Sequence, residues 1–298
     1  MRVIEVENLT KKYGSFKAVK AVNFTITEGE VFGFIGPNGA GKTTILECIM
    51  GLHKFNEGTI NVFGCDVKKD NKKLIRMVGA QLQESALPNL IRVYEAIQLQ
   101  AAAFNIKPNI PELLEQQDLT EKKNTFFSKL SGGQKQRLFI LLAKLHNPDV
   151  LIFDELSTGL DPVARSSAWQ EILRLKKDGK TILVSTHYME EATYVCDRLV
   201  LINKGNIVAI GSPKELVEGL PFKYVASFVK EDEDYDMLKN FYKVNIGEQN
   251  KITVFVENDS QRNELFNMEK NGDVVNVSLR ATNLDDYYQY NINKENAK

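Results

Sequence analysis

The sequence is poor in the features that staple small folds or anchor a chain in lipid. Its 298 residues include only three cysteines, Cys48, Cys65 and Cys196. They lie far apart and make no C-x-x-C pair. That excludes a disulfide framework and a cysteine-rich metal site, and points to free thiols in a reducing compartment. No stretch approaches the roughly 18 consecutive apolar residues of a membrane span, so this chain is not expected to cross a bilayer by itself. The opening MRVIEVENLT carries two acids and no apolar core, so no signal peptide is expected. An excess of either charge is also missing. Lys and Arg number 38 against 39 Asp and Glu, and this balance argues against nucleic acid as the main partner. Internal repeats are absent as well.

What remains is the composition of an ordinary globular chain, 43% hydrophobic and 26% charged. At this length about three quarters of the unfolded surface can be buried. One large domain, or a large one with a small companion, is expected. The runs Val31–Ile35, Val150–Phe153, Thr181–Ser185 and Leu199–Ile202 are continuously apolar. That suits strands covered on both faces of a mainly parallel sheet. Helical stretches such as Lys42–Met50 and Pro162–Lys177 alternate with them, which predicts an α/β layer fold. The first thirty residues instead alternate apolar and polar, as in a small antiparallel sheet with one wet face. The middle, about residues 90–146, reads as an inserted helical lobe, clearest over Ala96–Phe104 and Leu130–Leu145. A break at Gly219–Pro221 separates residues 1–218 from a small α+β appendage over 222–298. In the appendage FKYVASFV, KITVFVEN and DVVNVSL read as strands, and EDYDMLKNFY and SQRNELFNMEK as helices. The acidic run Glu231–Asp234 reads as solvated, and the final NINKENAK as frayed.

The strongest motif is GPNGAGKTT, Gly36 to Thr44. It fits G-x-x-x-x-G-K-S/T, follows a predicted strand and opens a predicted helix, the context required of a phosphate loop. Glycines let converging backbone N–H groups wrap a phosphate, and the helix N-terminus adds positive potential. Gly36, Asn38, Gly39, Ala40, Gly41, Lys42, Thr43 and Thr44 are the candidate ATP contacts. Lys42 would reach the β- and γ-phosphates, and the Thr43 hydroxyl would ligate Mg²⁺. VLIFDE, Val150 to Glu155, puts two acids at the C-terminal end of an apolar strand, where open α/β sheets bind ligands. Asp154 is placed to hold Mg²⁺ through water, and Glu155 to take a proton from an attacking water. LSGGQKQR, Leu130 to Arg137, offers Ser131 as a helix cap, with Gly132 and Gly133 allowing close backbone approach. It reads as a second phosphate-binding helix start. One nucleotide does not need two cradles from one chain, whereas two chains closing over each other's nucleotide would use both.

With these motifs the sequence resembles the ATP-binding cassette family, the nucleotide-binding subunits of ABC transporters, over about residues 1–218. The resemblance implies a RecA-like P-loop NTPase core with an antiparallel β subdomain and the helical lobe. It implies that Tyr13, in KKYG, stacks on adenine. Gln83, in GAQLQESAL, matches the glutamine that touches Mg²⁺ and the attacking water, with Gln81 as the neighbouring alternative. STGLD matches the loop that crosses the dimer interface through Asp161. His187, in VSTHYMEEA, matches the switch histidine at the γ-phosphate. Ser131, Gly132, Gly133 and Gln134 would contact the ATP of a partner chain. Leu156 stands where the family usually has proline. That loosens the loop but removes no chemical group, so hydrolysis is expected to survive.

The resemblance implies an ATPase driving a separate membrane permease from the cytoplasmic face, as a homodimer or as a heterodimer with a second ABC ATPase. Asn283, Leu284, Asp285, Asp286 and Tyr287 resemble the "TLEDVF" ending of bacterial drug- and peptide-export ATPases. Export of a drug, lipid or peptide is therefore expected. An importer motor, or a soluble cassette ATPase acting on ribosomes or DNA, is the alternative. Residues 222–298 look too short for the larger C-terminal domain of sugar importers, GKTT and LSGGQ each occur once, and no long coiled coil interrupts the cassette, so these alternatives are not expected.

Overall fold

The structure is a computed structural model that describes residues 1–83, 86–229, 238, 241–246 and 251–296. The chain divides into two compact units, Met1–Pro213 and Lys214–Lys298. In chain order the first unit contains β1 (Arg2–Tyr13), β2 (Phe16–Thr27), β3 (Val31–Ile35), α1 (Lys42–Ile49), β4 (Glu57–Val62), β5 (Cys65–Asp66), α2 (Asn71–Met77) and β6 (Val78–Gln81). It continues with α3 (Val93–Ala103), α4 (Ile110–Glu115), α5 (Gly132–Lys144), β7 (Val150–Asp154), α6 (Pro162–Lys177), β8 (Thr181–Thr186), α7 (Met189–Val195), β9 (Arg198–Asn203) and β10 (Asn206–Gly211). Then follow α8 (Pro213–Glu218), β11 (Tyr224–Val229), β12 (Tyr242–Ile246), β13 (Lys251–Val256), α9 (Asp259–Asn271), β14 (Val275–Ala281) and α10 (Leu284–Asn296).

Among the described residues the first unit has two sheets. One is antiparallel, in the order β2-β1-β4-β5. The other runs β10-β9-β3-β8-β7-β6, parallel throughout except for the edge strand β10. Strands β3, β7 and β8 are buried at every position, which is why they read as unbroken apolar runs. The antiparallel sheet alternates instead. Its inward side chains, Ile4, Val6, Ile26, Ile60 and Val62, join Ile45, Leu46 and Ile49 of α1 in one core. The helical lobe has its own core, in which Val93 and Ile97 of α3 meet Leu114 of α4 and Leu138 and Leu141 of α5.

Parallel register decides what this sheet presents. Ile35 is level with Thr186, Asp154 with Ser185, and Gln81 with Phe153. Four neighbouring strands, β3, β8, β7 and β6, therefore deliver their C-terminal ends to one edge. Helix α5 reaches this sheet through Gly79 of β6, where an added Cβ would lie 2.0 Å from Ala143 O and 2.8 Å from Pro148 Cγ.

In the second unit the order is β12-β13-β11-β14, antiparallel. Alternation gives each face its own helix. Ala226, Phe228, Val254 and Val256 pack against Leu265 and Met268 of α9. Val225 and Phe255 pack with Phe222 beside Tyr287 and Tyr290 of α10. Asn283 caps α10: its Oδ1 accepts from Asp286 N at 3.1 Å, and Asn283 N donates to Asp286 Oδ2 at 2.9 Å. Arg280 holds the same carboxylate with two bonds of 2.6 and 2.8 Å.

Three details differ from the sequence reading. The division falls at Pro213, ahead of α8, rather than at Gly219–Pro221. Leu220 and Phe222, at the expected break, are core residues of the second unit. Tyr242, expected to end a helix, opens strand β12, and α10 continues to Asn296 through most of the stretch expected to fray. The acidic run Glu231–Asp234 lies outside the described residues.

Gly79→Ala is expected to destabilise the first unit by about 1–3 kcal/mol through overpacking against the α5 backbone. The check is a lower urea midpoint at unchanged slope, and an unchanged midpoint would show that α5 can shift freely at this crossing.

Candidate nucleotide site

The segment between β3 and α1 is shaped by backbone that a side chain would obstruct. A Cβ on Gly36 would lie 2.2 Å from Ile202 O, and one on Gly41 would lie 2.7 Å from Ala18 O. Gly39 and Gly41 have φ of 78° and 108°, the left-handed region in which glycine is unstrained. The turn ends at Lys42, the first residue of α1, so the free N–H groups of that helix face the loop. Lys42 is buried, and its ammonium donates to Gly36 O at 2.9 Å and Pro37 O at 3.1 Å. Desolvation lowers its pKa, opposed by the charges of Glu155 and then Asp154. Among the described residues its partners are two carbonyls and the nearby Glu155 carboxylate, with Asp154 beyond, and a cation so buried favours an anion.

The loop forms one wall of a cleft of about 370 Å³. Tyr13, Asn38, Gly39, Ala40, Gly41, Lys42, Thr43, Thr44, Gln83 and Glu155 all line it. Tyr13 is 44% exposed at the mouth, where a base could stack on it. Phe16, unassigned in the sequence reading, lies in the same lining and is 64% exposed. The signal was a pair of aromatics flanking the tight turn between β1 and β2.

The ends of β7 and β8 supply the acids and the histidine. Asp154 is 1% exposed. Its Oδ1 accepts a hydrogen bond from Ser185 Oγ, while its buried Oδ2 has no hydrogen-bond partner among the described residues. Glu155 has φ of 53°, and its N–H donates to both Ser185 O and Ser185 Oγ at 3.1 Å. That left-handed turn sends the Glu155 carboxylate away from Asp154, toward the cleft. Its Oε2 accepts from Gln83 Nε2 at 3.2 Å and from Thr158 Oγ1 at 3.3 Å. Its Oε1 lies 3.7 Å from His187 Nδ1 and 4.0 Å from Lys42 Nζ. The imidazole is too distant for a hydrogen bond. It leans on Tyr188, with ring centroids 4.2 Å apart. Gln81 is occupied elsewhere, exchanging amide bonds of 3.1 and 2.7 Å with Gln136 of α5. Leu156, in the place of the usual proline, is buried.

The remaining predicted residues lie outside this lining. Ser131 caps α5. Its Oγ accepts from Gln134 N at 3.3 Å, and its N–H donates to Gln134 Oε1 at 3.0 Å. Gly132 is exposed, and Gly133 is half-buried with room for a Cβ only 3.1 Å from Ala164 Cβ. Asp161 caps α6 by accepting from Ala164 N at 2.9 Å. Ser131, Gly132 and Asp161 are exposed, Gly133 and Gln134 half-buried, and none of the five lines the cleft. Ser185 and Thr158, which hold the two acids, lie within VSTHYMEEA and STGLD but received no role in the sequence reading; a hydroxyl at the buried end of an apolar strand is the nearest signal for Ser185.

The donor set suits a hard divalent cation. Thr43 offers a hydroxyl, Gln83 an amide oxygen and Asp154 its unpartnered buried Oδ2. All are oxygen ligands, as Mg²⁺ prefers, with room left for water and phosphate.

Residues 19–158 match the family described as ABC transporter. The linearmycin resistance ATP-binding protein LnrL of Bacillus subtilis is 34% identical over 223 residues, covering 73% of this chain and 72% of that protein. A Nod factor export ATP-binding protein I, from Burkholderia lata, is 40% identical over 224 residues, covering 72% of each. Among solved structures, an ATP-binding subunit of an ABC transporter superposes with a TM-score of 0.66 at 28% identity, covering 72% of this chain and 92% of that one. A dimeric cassette in a post-hydrolysis state, bound to ADP and Pi, superposes with a TM-score of 0.63 at 28% identity, covering 70% and 98%.

Glu155→Gln keeps the size and the Gln83 contact but removes the proton acceptor. It is expected to slow phosphate release by about 10²–10⁴-fold with ATP affinity retained. Parallel turnover and equilibrium-binding measurements check this, and parental turnover would place the general base elsewhere.

Proposed function

This chain belongs to the ABC transporter family of ATP-binding subunits, and we propose that it is the motor of an exporter whose permease is a separate membrane polypeptide. It is an ATPase of the cassette type. The observation that carries the mechanistic reading is the convergence of Lys42, Gln83 and His187 on one carboxylate, Glu155, at the floor of the cleft.

In this reading the adenine stacks at Tyr13 and the phosphates enter the loop of residues 36–44. The N–H groups of the loop and of the α1 N-terminus bind the phosphate oxygens. Lys42 exchanges its two loop carbonyls for phosphate, which relieves its desolvation. Thr43, Gln83 and Asp154 would hold Mg²⁺, which when bound would neutralise phosphate charge. Glu155 releases its Gln83 and Thr158 donors and accepts the proton of the attacking water. His187 moves from Glu155 to the γ-phosphate. The chain's work is positioning and electrostatics rather than covalent chemistry.

The exposure of Ser131 and Gly132 outside the cleft supports a second cassette, either another copy of this chain or a different ABC ATPase, closing over the γ-phosphate. Binding then shuts the pair and hydrolysis reopens it. The chain would act at the cytoplasmic face of a membrane. Among the described residues no helix is long and apolar enough to cross one, and the permease would be a separate polypeptide. Export is favoured by relatives named for linearmycin resistance and Nod factor export. The Asn283–Tyr287 ending favours it too. The cargo class is a drug, a lipid or a peptide.

Affinity isolation of tagged Glu155→Gln chain from its native membranes, with MgATP, tests this reading. Recovery of a polytopic membrane protein is expected. Recovery of ribosomes or DNA without one would overturn the exporter assignment.

A further inference from the structure

Glu191, in α7, is 1% exposed and lines no part of the cleft. A carboxylate so buried must have its oxygens satisfied. Ser157 Oγ donates to its Oε2 at 2.8 Å, and Trp169 Nε1 donates to its Oε1 at 3.1 Å. The Thr186 hydroxyl is a third donor. Burial raises the Glu191 pKa, while these donors and the Arg165 charge oppose the rise.

The donors come from two places that the reaction uses. Ser157 begins the loop 157–161, which follows the general base and ends at Asp161. Thr186 immediately precedes His187, and its Oγ1 also accepts from Tyr188 N at 2.9 Å. Both chain neighbours of His187 are thus tied to Glu191, one directly and one through a hydroxyl. A second strut runs in parallel. The Arg165 guanidinium lies 4.8 Å over the Tyr188 ring and donates to Leu160 O at 3.5 Å. Loop 157–161 is also tied to the base itself through Thr158.

We propose that Glu191 is a positioning residue that clamps the His187 segment to loop 157–161, so that the two move as one body when a second cassette closes over the cleft. A partner pressing on the exposed loop would then carry His187 toward the γ-phosphate. Hydrolysis is thereby tied to closure. The proposal rests on the ATPase reading above and adds to it the link between the switch and the interface loop.

The test is a double-mutant cycle between Glu191 and His187, read as steady-state MgATP hydrolysis. It is run on the full chain, given that the parent hydrolyses ATP and Glu155→Gln does not. That condition separates failure of this proposal from failure of the ATPase reading. Glu191→Ala is expected to lower kcat by about 10²-fold with KM for ATP little changed, the cost of misplacing a reacting group. Glu191→Gln, which can still accept from Trp169 and donate to Ser157, should recover most of the rate. In a His187→Ala background, Glu191→Ala should cost no more than about a further twofold. A folded Glu191→Ala chain with parental kcat, or losses that multiply fully with those of His187→Ala, would overturn the proposal. Should Glu191→Ala fail to fold, Ser157→Ala removes one strand of the clamp at little cost in packing. It is expected to lower kcat and to be non-additive with His187→Ala, and parental kcat in that variant would overturn the proposal.

Discussion

The chemistry of this protein depends on four parallel strands ending level with one another. β3, β8, β7 and β6 are hydrogen-bonded neighbours in fixed register. Their C-terminal ends place the phosphate loop, His187, the Asp154–Glu155 pair and Gln83 along one edge. Burial on both faces enforces that register. Each residue of β7 and β8 is enclosed, so a slip by one position would push apolar side chains into the wrong layer. The same slip would exchange the positions of Asp154 and Glu155, the residues proposed as cation ligand and proton acceptor.

Within this frame the site is electrostatically unfinished without its substrate. Lys42 is desolvated, its described polar partners are two carbonyls and the Glu155 carboxylate, and its pKa is lowered by burial. Asp154 buries an oxygen that no donor among the described residues satisfies. In the proposed reading a phosphate and a divalent cation repair both defects, which makes binding energy available to reorganise the neighbours. Glu155, clasped by Gln83 and Thr158, is the group whose partners must change. The clasp joins the base to loop 157–161, and Glu191 joins that loop to His187. Closure of a cassette pair can therefore be felt at the reacting centre through side chains that never touch ATP.

Most of the first unit was legible because its signals are local. Continuous apolar runs fixed β3, β7, β8 and β9 to within a residue or two. G-x-x-x-x-G-K-T carries its own strand–turn–helix context. Gln83 and Gln81 could be separated only by spacing, and the structure turns one toward Glu155 and the other toward Gln136. What escaped was long-range or conformational. Ser185 and Glu191 matter through partners 31 and 34 residues away in sequence, and although STGLD contains Thr158 and VSTHYMEEA contains Ser185 and Glu191, neither motif assigns these residues a role. Strand β12 was hidden because Tyr242 closes a stretch of helix-like composition. The boundary was misplaced because a Gly-Leu-Pro break looks like a linker, although its Leu220 is core.

The central claim is that ATP bound at the end of β3 is covered by a second cassette. The most direct measurement is a structure of the Glu155→Gln protein purified from its membranes with MgATP. The account predicts a γ-phosphate within hydrogen-bond reach of Lys42 Nζ and of the side chain at 155, faced by the signature helix of a second cassette. A fully loaded protein whose phosphates lie away from Lys42, or remain open to solvent with no second cassette over them, would contradict it.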